Sequence, residues 1–273
     1  MIGGLYAAVG LGMNLIFGVV KITNLAHGDF LILASYIALL FTGIFNNPFI
    51  TLIVVVPIMF FIGFGLQRTM LNRVIGRGDE PPLLITFGIS IVIQNLLLYF
   101  FTANAQTLRT PLMLQSFSIG NNIHISVLWL ISALVGAAIV ILLGLYMKGT
   151  YMGRAIRATS DDTEAAQLTG VNIKSTFGVA MGISMMTAAV TGVFIGMLYP
   201  FYPTTGPSYL IVAFAVVVIG GIGSIYGTLA AGIIFGLAQV VGGSVFGSEY
   251  QQLIGYLVLL VMLVVRPQGL FSK

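Results

Sequence analysis

The sequence predicts an all-α, polytopic membrane protein of about nine transmembrane helices, within a range of eight to ten, and three observations predict it. Of the 273 residues, 58% are hydrophobic and 7% charged, whereas a soluble globular domain carries about 25% charged residues to cover its surface. The mean hydropathy is +1.08. Residues 1–20, 30–67, 81–108, 110–147, 175–248 and 250–265 contain no Asp, Glu, Lys or Arg, and roughly 20 apolar residues suffice for one crossing.

The elements follow in order. A first span runs over residues 2–20; its opening Met-Ile-Gly-Gly has no basic leader, so no cleavable signal is expected. The next apolar run breaks at Asn46-Asn47-Pro48, giving spans near 30–45 and 49–67. A single span covers 83–103. Residues 104–124 form a sizeable loop in which Phe117–Ile125 alternates apolar and polar about Gly120, Asn121 and Asn122, the pattern of a short hairpin on the outer surface. After a span at 125–147 comes a charged loop, 148–174. The long run from Ser175 to Ser248 breaks at Pro200, Pro203 and Pro207 and again at Gly220-Gly221-Ile222-Gly223, which leaves spans near 176–199, 209–222 and 227–245 before the last at 251–265. Alternate connections hold Lys21; Arg68, Arg73 and Arg77; Lys148, Arg154, Arg157 and Lys174; and Arg266 and Lys273, and only Arg109 falls on the other face. That asymmetry predicts a cytoplasmic C-terminus, an outer N-terminus and a cytoplasmic 148–174 loop.

Composition also excludes functions. The chain has no cysteine, and His27 and His124 are its two histidines, so no metal or thiol chemistry is expected. No Gly-Lys dipeptide is present to build a Walker loop. Basic residues are accounted for as loop charges, and nucleic acid is not an expected partner. Spans free of charged residues argue against an ion-coupled pump.

Polar and small residues within the spans each carry two readings. Gly178/Gly182, Gly192/Gly196, Gly223/Gly227 and Gly232/Gly236 have the spacing of close helix packing. The segment Asn24-Leu-Ala-His27-Gly28-Asp29-Phe30 either makes a plain turn, with a positive φ at Gly28 and caps at Asn24 and Asp29, or folds back to line a pathway. Gly220, Gly221 and Gly223 end a span of about 14 residues, and are either a tight turn or part of the pathway. Asn14, Gln94, Asn95 and Gln239 are isolated amides suited to interhelical hydrogen bonds, with Gln94 and Asn95 also pathway candidates. In the 148–174 loop, Asp161-x-x-Glu164 suits a capping box and Gly170 a C′ position, bracketing a helix over Thr163–Thr169. Its Ala165, Ala166 and Leu168 would offer a low face for docking on a partner.

Glu164-Ala165-Ala166-x-x-x-Gly170 resembles the coupling motif of ATP-binding-cassette (ABC) importer permeases. With Asn24-Leu-Ala-His-Gly28, Gly153-Arg-Ala-Ile-Arg-Ala158, Gly220-Gly-Ile-Gly-Ser224 and Arg266-Pro-Gln-Gly-Leu-Phe271, the resemblance is to the LivH-type branched-chain amino acid permeases and runs through essentially the whole chain. It implies an ABC importer permease fold, one permease domain over 1–273, and coupling through Arg157, Asp161, Glu164, Ala165, Ala166 and Gly170. The implied partners are two cytoplasmic ATPase subunits, a second homologous permease in a heterodimer, and an extracytoplasmic binding protein in a bacterial or archaeal plasma membrane. The chain itself would be no enzyme and hold no cofactor; ATP and magnesium would bind the ATPases. Urea or short amides are alternative cargoes, a self-sufficient channel an alternative mechanism, and the sugar-permease branch, marked by Gly-Gly-Ile-Asp-Leu-Ser, is disfavoured.

Overall fold

The computed structural model describes every residue except Arg77, Asp79, Gly120, Asn121, Asn122, Ser272 and Lys273. Its helices are α1 (Ile2–Val20), α2 (His27–Phe45), α3 (Pro48–Thr69), α4 (Glu80–Phe101), α5 (Val127–Gly149), α6 (Tyr151–Asp161), α7 (Thr163–Leu168), α8 (Ile173–Leu198), α9 (Gly206–Gly220), α10 (Ile225–Phe246) and α11 (Gln251–Val265). Among the described residues eight segments are long and apolar enough to cross a bilayer, α11 being counted with the 3₁₀ turn before it; α9, with 15 residues, is a shorter apolar helix. The protein is therefore a multi-pass, all-α membrane protein. At 1.5 Å per residue α9 measures about 22 Å, short of the ~30 Å hydrocarbon layer.

The breaks follow local chemistry. Asn46 ends α2 in the left-handed conformation (φ 54°), Asn47 caps α3 by accepting the Phe49 N–H at 2.9 Å, and Pro48 fills the first helical position, where its missing N–H does no harm. Strands β1 (Ser116–Ile119) and β2 (Ile123–Ser126) pair antiparallel with Phe117 opposite Ile125. The expected hairpin turn at 120–122 lies outside the described residues. Nearby, Gln106 exchanges two backbone hydrogen bonds with Phe201, and the Leu108 N–H donates to the Gly196 carbonyl, so this loop is fastened over the α8–α9 connection.

Helices α1 and α8 form the buried centre, and α2, α3, α5, α9 and α10 surround them. Small residues let the backbones approach, as helix association in lipid requires. A Cβ added at Gly3 would lie 2.7 Å from the Cα of Ile233, and Gly178 and Gly182 leave room for the rings of Phe64 and Phe60. By contrast α4 and α11 are mostly exposed, presenting Leu84, Phe87, Tyr99, Leu257 and Val264 outward, as lipid-facing spans do.

Candidate translocation and coupling site

The α1–α2 connection folds back into the bundle instead of turning at the end of α1. Lys21 ends α1 in a left-handed conformation (φ 58°), and the following residues are non-helical up to the turn before His27. Leu25 donates its N–H to Thr86 Oγ1 on α4 at 3.2 Å. The His27 ring then lies with Nε2 3.1 Å from the Val9 carbonyl. A carbonyl only accepts, so Nε2 is the donor. Val9 lies about three turns before the end of α1, so α2 begins well inside the bundle. The segment folds back into the bundle, and the plain-turn reading fails in detail. Gly28 is helical rather than left-handed, Ala26 occupies the N-cap position without a side-chain cap, and the positive φ is at Lys21. Asn24 is buried; its Oδ1 accepts the Ala26 N–H at 3.1 Å, while Asn24 Nδ2 and His27 Nδ1 have no hydrogen-bond partner among the described residues.

Two helix N-termini meet here. A Cβ on Gly28 would overlap the Gly206 carbonyl oxygen and come within 2.8 Å of the Leu210 nitrogen, while one on Gly206 would overlap Asp29 Oδ1. Asp29, 1% exposed, accepts a hydrogen bond from Gln94 Nε2 of α4 at 3.0 Å. Gln94 also reaches Ser90 Oγ at 3.2 Å. The expectation that no charged residue lies within the spans is thus overturned: α2 starts three residues earlier than the first span boundary allowed, and that extension carries Asp29 inside. Asn95, one residue on from Gln94, faces outward and donates to its own Ile91 carbonyl at 2.8 Å.

Gly220, Gly221 and Gly223 are not part of this junction. They form the turn from α9 to α10, at the other end of α9 from Gly206, with left-handed φ values of 93° at Gly221 and 77° at Gly223 that favour glycine. Asn14 of α1 holds the turn. Its Oδ1 accepts the Gly223 N–H at 2.6 Å, and its Nδ2 lies 2.7 Å from Thr228 Oγ1 and 3.0 Å from the Ser224 carbonyl.

The charged loop folds into two helices meeting at a corner. Thr150 caps α6 by accepting the Gly153 N–H at 3.0 Å, and Gly153 lets α6 pack on the backbone of Tyr146 and Met147. Asp162 caps α7, its Oδ1 accepting the N–H groups of Glu164 (2.9 Å) and Ala165 (3.0 Å). The expected cap was Asp161, which instead is the last residue of α6. Gly170 (φ 88°) sits at C′: its N–H bonds the Gln167 carbonyl at 3.0 Å and the Val171 N–H bonds that of Ala166 at 3.1 Å, a Schellman closure. Arg157, Asp161, Glu164 and Ala165 are exposed and Leu168 is 89% exposed, but Ala166 is 4% exposed and packs against its own chain. The outward face is therefore Glu164, Ala165 and Leu168, because the corner directs the opposite face of α7 inward. Sequence reasoning gave no special weight to Asp162, Ser160 or Gly206. The Asp161-Asp162 doublet was the available signal for the cap.

Comparison with known proteins agrees with this architecture. Residues 1–264 match the family described as branched-chain amino acid transport system, permease component. The chain is 28% identical to the high-affinity branched-chain amino acid transport permease BraD of Pseudomonas aeruginosa, over 100% of this chain and 93% of that protein. It is 26% identical to LivH of Escherichia coli K12, over 100% and 92%. It is also 29% identical to the fructose import permease FrcC of Rhizobium meliloti, over 88% and 69%. No solved structure matches the chain. With nearly its whole length matched, a multi-pass helical bundle and a capped two-helix loop in the charged segment, the chain belongs to the branched-chain amino acid transport permease family.

Proposed function

We propose that this chain is the permease subunit of an ATP-driven importer of branched-chain amino acids in a bacterial or archaeal plasma membrane. The observation that carries the reading is the α6–α7 corner. It is closed by a side-chain cap at one end of α7 and a glycine closure at the other, yet holds Leu168 out at 89% exposure. A six-residue helix is marginal alone, and an exposed leucine on a capped corner suits docking on a second protein. The corner seats on one of two cytoplasmic ATPase subunits, which bind ATP and magnesium. A second homologous permease completes the pathway, and an extracytoplasmic binding protein delivers cargo. The N-terminus is outside and the C-terminus cytoplasmic.

Cargo passes the junction of α2, α4 and α9, where Asn24, His27, Gly28, Asp29 and Gln94 gather, while Asn95 faces away from it. Discontinuous helix ends and intramembrane ionisable groups are the usual places for such a pathway. The test is leucine uptake into proteoliposomes holding all subunits, with and without ATP. ATP-dependent uptake supports the reading, and ATP-independent uptake by this chain alone overturns it. Ligand retained by the cognate binding protein decides the cargo: a sugar, urea or short amide there would replace leucine without changing the architecture.

A further inference from the structure

Given that the α6–α7 corner docks on ATPase subunits, as read above, we infer that Asn14 is a positioning residue that carries the corner's movement to α9, and that the glycine turn serves this link instead of touching cargo. Asn14 is 2% exposed and uses both ends of its amide. Besides the bonds to Gly223, Thr228 and Ser224, its Nδ2 lies 3.3 Å from the Gly221 carbonyl. One turn further along α1, the Gly18 carbonyl accepts the Ser160 hydroxyl of α6 at 2.6 Å. Gly18 also meets the turn directly, since a Cβ there would lie 2.6 Å from the Cα of Gly223. From another direction the C-terminal segment clasps the end of α9: the Leu270 N–H donates to the Ile219 carbonyl at 2.9 Å and the Phe271 N–H to that of Gly220 at 3.3 Å. Helix α6, the end of α1, the turn and the C-terminal segment are thus joined by hydrogen bonds, and the buried Asn14 amide at their centre is a group that is costly to leave unpaired. From this joint α9 runs as one short helix to Gly206, against Asp29. Movement of α6 reaches the α2–α9 junction along α9, and Asn14 keeps the turn in step with α1.

The test uses the complete complex in proteoliposomes, with Asn14→Ala and, from the α6 end of the same link, Ser160→Ala. Both variants should retain the ATPase subunits and hydrolysis stimulated by leucine-loaded binding protein, while leucine taken up per ATP falls about fivefold or more, an ordinary size for coupling between sites. Spin labels at Arg154→Cys and Ile222→Cys, both exposed, add a readout that lost stability would not mimic. Their separation should stay constant through the ATP cycle in the otherwise native chain and should change in Asn14→Ala. A native ratio of uptake to hydrolysis, or a fall of both in proportion, overturns the proposal. If Asn14→Ala does not assemble, Ser160→Ala decides by the same ratio. The docking reading is tested apart, by whether Leu168→Arg releases the ATPase subunits, so the two failures are distinguishable.

Discussion

Gln94 donates its side-chain amide to the Asp29 carboxylate across 3.0 Å, joining α4 to the first turn of α2 inside the bundle. Lower on the same helix, Thr86 accepts the Leu25 N–H, so α4 is fastened to the fold-back segment at two heights. Asp29→Ala would leave the amide without this acceptor, at about 1–3 kcal/mol for a buried polar group. The purified permease should then melt earlier. Asp29→Asn keeps an acceptor and should melt as the native chain does, while leucine uptake by the assembled importer drops. Native uptake by Asp29→Asn would remove the carboxylate from the pathway.

The two alanines of α7 should behave oppositely. Ala166→Trp overpacks a buried position, at about 1–3 kcal/mol, and should lower the melting temperature of the permease alone. Ala165→Trp changes an exposed position and should leave that temperature unchanged while reducing co-purification of the ATPase subunits. Equal melting of both variants would contradict the inward orientation of Ala166.

Asp162→Ala removes the cap of α7, an effect of about 0.5–2 kcal/mol, whereas Asp161→Ala removes none. Hydrogen exchange at residues 163–168 should quicken in the first variant and hold steady in the second. Quickening only in Asp161→Ala would return the cap to the earlier residue.

Because the chain has no cysteine, orientation can be read by labelling. Leu114, 94% exposed beside the hairpin, and Arg154, exposed on α6, are suitable positions; Thr159 is fully buried, with its hydroxyl bonded to the Ala155 carbonyl at 2.8 Å, and is not. Leu114→Cys should react with an impermeant thiol reagent from outside, and Arg154→Cys only after the cytoplasmic face is opened. Labelling of both from outside would overturn the proposed topology.

The helical class and the eight long apolar segments were legible in the sequence, as was the alternating strand pattern, because their causes are local. Apolar runs long enough to cross, a break such as Asn46-Asn47-Pro48 and alternation over Phe117–Ile125 each act within a few residues. The two helices of the charged loop were legible only in part: Gly170 marked the end of α7 for a local reason, its left-handed φ. The cap was misplaced by one residue because packing of α6 sets where that helix stops, and the same packing turns Ala166 inward. Only tertiary structure could decide where α2 begins. The segment from Lys21 to Ala26 could have turned at the surface, and it folds back because the Val9 carbonyl and the bare backbone of Gly206 receive His27 and Gly28 there. The same holds for Asn14, whose partners lie more than 200 residues away along the chain: an isolated amide in an apolar span announces a need for hydrogen bonds, and only the packed bundle determines which groups meet it.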